Sequence, residues 1–122
     1  MGRLRVPPVA TERKRVMFNF FSKNKFDSVN VNDLDSLLGK INLIDIRESY
    51  EYRNGHLPNA KNIPMNSILA EPEKYLDHGK EYHIVCQSGG RSSRTCGNLA
   101  SKGYNVINVA GGTGGYKGNL QR

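Results

Sequence analysis

The feature that most constrains this chain is the stretch CQSGGRS at residues 86–92, which separates two patterned segments. The apolar run before it, residues 82–85, predicts a strand, and the helical spacing of apolar residues over 92–102 predicts a helix after it. The paired glycines let the loop curl so that successive backbone N–H groups point inward. Ser92 is expected to N-cap the helix, whose first-turn N–H groups carry partial positive charge. The pattern therefore predicts a cysteine at the end of a strand, facing an anion cradle.

Cys86 in this setting is a candidate nucleophile. A thiolate in the mouth of such a cradle is stabilised, which lowers the pKa of the thiol and makes the sulfur reactive at neutral pH. Arg91 is expected to add a full positive charge to the same loop. The alternative is a buried structural cysteine before an ordinary turn. The cysteine, glycines, arginine and helix start together favour the reactive cysteine.

Length and composition exclude several classes of protein. The 122 residues suffice for one domain, and no apolar run approaches the ~20 residues that span a bilayer. Two cysteines without a Cys-x-x-Cys motif predict neither a disulfide framework nor a zinc site, and three scattered histidines predict no metal site. Because neither a signal peptide nor a cysteine framework is evident, a cytoplasmic location is expected.

The net charge of +7 is concentrated at one end of the chain. Residues 1–25 carry seven Lys and Arg against one Glu, whereas the remaining residues are nearly neutral. We therefore expect a disordered basic N-terminal extension over 1–25, a folded domain over 26–122, and no nucleic-acid binding by that domain. Met17 is a candidate native start, which would make 1–16 an upstream extension. A membrane-surface arm, a nucleic-acid arm and a transit peptide stay open for this segment.

Five short strands separated by helical pieces predict an α/β fold with a mostly parallel sheet, flanked by helices on both faces. The strands are expected at 28–31, 41–46, 60–63, 82–85 and 105–110, with 41–46 central, and a helix capped by Asn32 at 33–38. Such sheets bind ligands at the carboxyl ends of their strands. Cys86 and the glycine run at 111–115, interpreted as a flexible turn, both follow strands.

The sequence also predicts positions and contacts for several residues outside the cysteine loop. Asp45 and Arg47 are expected to form an ion pair that braces the loop, and a purely structural pair is the open alternative. Glu51 and Arg53 are expected on a solvated helix face, with a position at the mouth of the pocket as the alternative. His56 is expected to hydrogen-bond within a turn rather than to act as a catalytic base. Cys96 is expected to face the core, too far from Cys86 for a disulfide.

Taken in order, these motifs resemble those of a single-domain rhodanese, a sulfurtransferase homology domain. The sequence LIDIRE at 43–48 resembles the first signature of that family, and the segment 51–64 resembles its continuation. CQSGGRS at 86–92 resembles the active-site loop, and Gly111-Gly112 with Tyr116 resembles the closing segment. The resemblance runs from about residue 29 to about residue 118.

The resemblance implies that Cys86 accepts sulfur as a persulfide. The donor would be thiosulfate or another persulfide donor, and the acceptor a thiol, a protein or cyanide, with no metal or organic cofactor. Two residues depart from the family pattern: Gln87 stands where Arg or Lys is frequent, and Tyr116 where tryptophan is usual. The substrate-binding residues are then expected to be Gln87, Ser88, Gly89, Gly90, Arg91 and Ser92.

Two other functions stay open. A phosphatase or arsenate reductase also uses a cysteine and an arginine around an oxyanion, but usually with five residues between them, where this chain has four. A catalytically quiet binding or regulatory module with the same fold is the second alternative.

Overall fold

The computed structural model describes residues 26–122, so the predicted basic extension lies outside the described residues. Its five strands are β1 (Asp27–Asn30), β2 (Asn42–Asp45), β3 (Lys61–Asn62), β4 (Glu81–Val85) and β5 (Asn105–Ala110). Its α-helices are α1 (Ser49–Arg53), α2 (Met65–Ala70), α3 (Pro72–Tyr75), α4 (Gly90–Ser101) and α5 (Gly112–Gly115). A 3-10 helix, Val31–Asp33, follows β1.

The five strands form one sheet in the order β1-β5-β4-β2-β3, and every neighbouring pair is parallel. The predicted mostly parallel sheet is confirmed. β2 lies inside the sheet, between β4 and the two-residue β3, while β4 holds the middle position. Because all strands run the same way, the residues that follow β2, β4 and β5 meet at one edge of the sheet.

The sheet is covered on both faces, as predicted. Alternate strand residues enter two separate apolar clusters, as a pleated strand requires. Ile44 and Ile84 pack with α2, α3 and α4 on one face. Leu43 and Val85 pack on the other face with residues of the 3-10 helix, of the turn after it and of α1.

The predicted helix at 33–38 is wrong. The side chain of Asn30, not of Asn32, caps the short 3-10 helix by accepting the Asn32 N–H at 2.8 Å. Asn32 instead binds the C-terminal segment: its side chain donates to the Gly115 carbonyl and accepts the Lys117 N–H, both at 2.9 Å. A side chain committed to a distant segment is not available to cap a local helix.

Residues 111–115 are also not the flexible turn that was predicted. Gly111 caps α5 (Gly112–Gly115), and this helix hydrogen-bonds to the loop after β4: Thr113 N–H donates to the Cys86 carbonyl and Gly114 N–H to the Gln87 carbonyl, each at 2.9 Å. The closing segment therefore fixes the backbone of the candidate site. Within 26–122, no helix combines the length and apolarity needed to cross a membrane.

Candidate active site

Cys86 lies directly after β4 at the carboxyl edge of the sheet and is fully buried. The following residues, Gln87 and Ser88, are exposed. The sulfur is thus enclosed beneath a loop that reaches the surface. A small molecule arriving from solvent meets this loop before it meets the sulfur.

The Cys86 sulfur is surrounded by hydrogen-bonding groups of its own loop. Gly89 N–H and Ser92 N–H donate to Sγ at 3.1 Å and 3.3 Å, and Ser92 Oγ lies 3.4 Å from Sγ. Burial raises the pKa of the thiol, but hydrogen bonds from the Ser92 side chain and from the backbone of Ser92, Gly89 and Ser88 outweigh it. The pKa of Cys86 is therefore lowered below its ordinary value.

Helix α4 begins earlier than predicted. Its N-cap is Gly89, with φ of +112°, a left-handed value that favours glycine. Ser92 is thus not the cap but a residue of the first turn, and this places both its N–H and its hydroxyl beside Cys86. Because Ser92 lies within the helix, it supplies two groups to the sulfur rather than capping the helix.

Arg91 is held by an acidic partner. Its guanidinium donates to both carboxylate oxygens of Glu51, at 2.9 Å and 3.0 Å. The Arg91 hydrogen bond lowers the pKa of Glu51 to about 2. The prediction of Glu51 on a solvated face is wrong, since its side chain is mostly buried in this pair. The positive charge that Arg91 was expected to add to the loop is therefore neutralised.

The predicted ion pair of Asp45 and Arg47 is present and buried, with Nη2 and Oδ2 2.8 Å apart. Arg47 also donates to the Gly55 carbonyl at 2.7 Å and to Oε1 of Gln87 at 3.0 Å. This last contact joins the pair to the loop after β4, and the bracing role stays a prediction. The Gln87 side chain is thereby directed toward Arg47.

The second cysteine is structural. Cys96 is fully buried in the same apolar cluster as Cys86, and both thiols are free. Burial, reinforced by the nearby Cys86, raises the pKa of Cys96 to about 12. The predicted core position is confirmed. Within the described part of the chain, no group of three His, Cys, Asp or Glu side chains could hold a metal ion.

The chain also matches a known protein family. Residues 30–119 match the family model described as the Rhodanese-like domain. The chain belongs to the rhodanese-like domain family. The resemblance inferred from the sequence is thereby confirmed.

Similar rhodanese-like proteins come from several bacteria. The chain is 41% identical over 81 residues to "Putative sulfurtransferase YtwF" of Bacillus subtilis (strain 168), a match covering 65% of this chain and 76% of that protein. It is 31% identical over 90 residues to a protein named "Sulfurtransferase" from Allochromatium vinosum, covering 73% of this chain and 83% of that one. The crystal structure of SSP1007 from Staphylococcus saprophyticus subsp. saprophyticus has a TM-score of 0.71 at 32% identity, covering 80% of this chain and 100% of that chain.

The rhodanese loop brings together most, but not all, of the residues singled out from the sequence. Ser88, Gly89 and Ser92 act on the sulfur through hydrogen bonds, whereas Gln87 and Arg91 contact other partners. Gly90 begins α4 and is exposed. These placements separate the groups that touch Cys86 from those that hold the loop in place.

One residue of this site, Asn108, was missed by sequence analysis, and the contacts that Glu51 and Gly112 make with the loop were not predicted. Asn108 is buried in β5, and its Oδ1 accepts the Ser92 hydroxyl at 2.6 Å. Its signal was an amide at an interior position of β5, with an apolar residue on each side. Gly112, at φ +64°, lies so near the loop that a Cβ would come within 2.5 Å of the Gln87 carbonyl oxygen.

Proposed function

We propose that this rhodanese-like domain is a sulfurtransferase that carries sulfane sulfur as a persulfide on Cys86. The observation that carries the proposal is the sulfur cradle, in which Gly89 N–H and Ser92 N–H donate to Sγ. Such donors stabilise an anionic sulfur and the charge that develops on it during transfer. The printed names of similar proteins, "Putative sulfurtransferase YtwF" and "Sulfurtransferase", support the same reaction class.

The transfer has two steps, each an exchange at sulfur. The Cys86 thiolate attacks the outer sulfur of the donor, the donor's S–S bond breaks, and its electron pair leaves with sulfite or with a donor thiolate. Cys86 then carries the outer sulfur as a persulfide. An acceptor thiolate, or cyanide, attacks that sulfur, and the electron pair of the broken S–S bond returns to the Cys86 thiolate.

Because Cys86 is enclosed, its attack on the donor depends on movement of the loop. Because the residue has no exposed surface, a donor sulfur reaches Sγ only after the loop around it moves. The loop's outer residues, Gln87, Ser88 and Gly90, are exposed, and Gln87 is held toward Arg47 by a hydrogen bond.

A persulfide suits the charge available beside the loop better than thiosulfate does. Thiosulfate carries two negative charges, and the cations beside the loop are already paired, Arg91 with Glu51 and Arg47 with Asp45. Gln87 adds no charge where the family often has one. We therefore propose a persulfide on a small thiol or on a protein as the donor, and a thiol of a small molecule or protein as the acceptor. The cytoplasmic location stays a prediction.

The phosphatase and arsenate reductase alternatives fit this loop less well. Both need an arginine that faces a tetrahedral oxyanion beside the cysteine. Arg91 instead directs its guanidinium to Glu51 with two hydrogen bonds.

A turnover assay tests the proposal. Wild-type protein is given glutathione persulfide or thiosulfate as donor and cyanide as acceptor, and thiocyanate is measured. We expect turnover with both donors, a higher kcat/KM for the persulfide, none above background with Cys86→Ser, and near wild-type turnover with Cys96→Ser. Equal rates for wild type and Cys86→Ser would contradict the proposal.

A further inference from the structure

Asn108 is a buried polar residue whose contacts lead to the active-site sulfur. It is 6% exposed and sits in β5 between apolar neighbours. Its Oδ1 accepts the Ser92 hydroxyl at 2.6 Å, while its Nδ2 donates to Ser28 Oγ at 3.3 Å. The sulfur-transfer steps above make no use of it.

Ser92 stands between Asn108 and Cys86. Its Oγ is 3.4 Å from Cys86 Sγ and 2.6 Å from Asn108 Oδ1, and the Gly89 carbonyl oxygen is a more distant acceptor at 3.2 Å. A serine hydroxyl has one proton to donate. In the thiol state the hydrogen bonds run in one direction, because the Cys86 S–H donates to Ser92 Oγ and the Ser92 O–H donates to Asn108 Oδ1.

Ionisation of Cys86 is incompatible with this direction of the hydrogen bonds. A thiolate can only accept hydrogen bonds, so Ser92 stabilises it with its hydroxyl only by turning that proton toward Sγ. Asn108 Oδ1 then loses its short contact with the Ser92 proton. Leaving a buried acceptor without its donor costs free energy. This cost destabilises the thiolate state relative to the thiol state.

We propose that Asn108 is a positioning residue that competes with the Cys86 thiolate for the single hydroxyl proton of Ser92. A thiolate that receives less hydrogen bonding retains more nucleophilicity. When Cys86 carries a persulfide, the negative charge moves to the outer sulfur, and the Ser92 proton can return to Asn108. The inference uses the proposed function only in taking Cys86 as the nucleophile.

The other charged and titratable groups near Cys86 are bound to partners other than Asn108, whose side-chain hydrogen bonds go to Ser92 and Ser28. Arg91 of α4 is paired with Glu51 of α1, and the Asp45–Arg47 pair follows β2. Cys96 of α4 stays protonated, because its pKa is raised to about 12. A change in Cys86 titration on replacing Asn108 therefore reports the contact through Ser92.

The experiment is the pH profile of Cys86 alkylation by iodoacetamide, followed by mass spectrometry of the Cys86 peptide. We expect Asn108→Ala and the similarly sized Asn108→Leu to shift the midpoint to lower pH. Below the midpoint, the rate should rise about twofold to fivefold, as expected from one hydrogen bond. Ser28→Ala is the matched control: it removes the other partner of Asn108 and should leave the midpoint unchanged.

A second pair of variants separates this role from a merely structural one. In a Ser92→Ala background, Asn108→Ala should no longer shift the midpoint, because the shared hydroxyl is gone. An unchanged or higher midpoint in both Asn108 variants overturns the inference, and so does a shift that persists without the Ser92 hydroxyl. Circular dichroism and thermal unfolding identify the variants that are folded. The alkylation profile needs no sulfur donor. A negative result for Asn108 is therefore distinguishable from a failure of sulfur transfer.

Discussion

Arg91 and Glu51 form a doubly hydrogen-bonded ion pair, Nη1 to Oε1 at 2.9 Å and Nη2 to Oε2 at 3.0 Å, across 40 positions of sequence. Both residues lie in the first turn of their helices, α4 and α1. Glu51 Oε1 also accepts the Glu48 N–H at 2.9 Å. The pair therefore fastens the start of the helix after the cysteine loop to a second helix, and it removes a free cation from the site.

The Arg91–Glu51 pair makes stability depend on acidic pH. The pKa of Glu51 is lowered from 4.5 to about 2, so the pair's stabilisation is complete above about pH 4.5 and is lost as the pH falls through 2. We expect Glu51→Gln to lower the free energy of unfolding at neutral pH by about 1 kcal/mol, because the pair is partly exposed. The difference from wild type should shrink below pH 4.5 and disappear near pH 2. Urea unfolding across this range measures it.

Glu73→Gln is the control for that titration, because Glu73 is an exposed acid of α3. We expect little change in its unfolding free energy at any pH in the range. A Glu51→Gln deficit that stays constant down to pH 2 would contradict the account of the pair.

The buried pair of Asp45 and Arg47 should contribute far more to stability than an exposed ion pair does. Arg47→Ala leaves the fully buried Asp45 carboxylate without its cation, a change that costs about 3–5 kcal/mol. Lys74→Ala removes a partner from an exposed pair, Lys74 with Glu71 at 3.9 Å, and should change stability by less than about 0.5 kcal/mol. Chemical denaturation compares the two variants, and similar midpoints for both would refute the bracing role.

Gly112 should tolerate no side chain. It has φ of +64°, and a Cβ would lie 2.5 Å from the Gln87 carbonyl oxygen and 2.6 Å from that of Cys86. We expect Gly112→Ala to destabilise the fold by at least about 2 kcal/mol. Gly90, by contrast, has open space around its Cβ position, so Gly90→Ala should change stability by no more than about 1 kcal/mol. Thermal unfolding distinguishes them, and equal melting temperatures would show that α5 does not pack on the loop as described.

The two cysteines should differ sharply in reactivity. The cradle lowers the pKa of Cys86, whereas burial raises the pKa of Cys96 to about 12. Native protein at neutral pH should therefore be alkylated once, at Cys86, and a second time only after denaturation. Peptide mass spectrometry after iodoacetamide treatment locates the label. Label on Cys96 in the native protein would show that the thiolate is not confined to the loop.

The fold was predictable because its signals are local. Apolar runs bounded by turn residues predicted all five strands to within one residue at each end. The cysteine loop was visible because a strand, a glycine pair and a helix occur in immediate succession. The errors at residues 33–38 and at Ser92 come from capping, where several nearby polar residues compete and only the folded chain decides. Gly89 can adopt the left-handed φ that lets α4 start two residues before the serine.

The site's long-range contacts were not predictable in the same way. Glu51 lies on a five-residue helix, and the pattern of one short helix cannot reveal an arginine far along the chain. Asn108 interacts with Ser92 because β5 and the start of α4 meet in space, 16 positions apart. Such pairings depend on strand order, which the periodicity of single segments does not specify.

The measurement that tests the central claim most directly is the intact mass of the protein after brief incubation with glutathione persulfide or thiosulfate, beside Cys86→Ala and Cys96→Ala. The account predicts a gain of one sulfur atom in wild type and in Cys96→Ala, no gain in Cys86→Ala, and loss of the added sulfur on treatment with cyanide. A wild-type mass unchanged by both donors, or a gain that persists without Cys86, would contradict it.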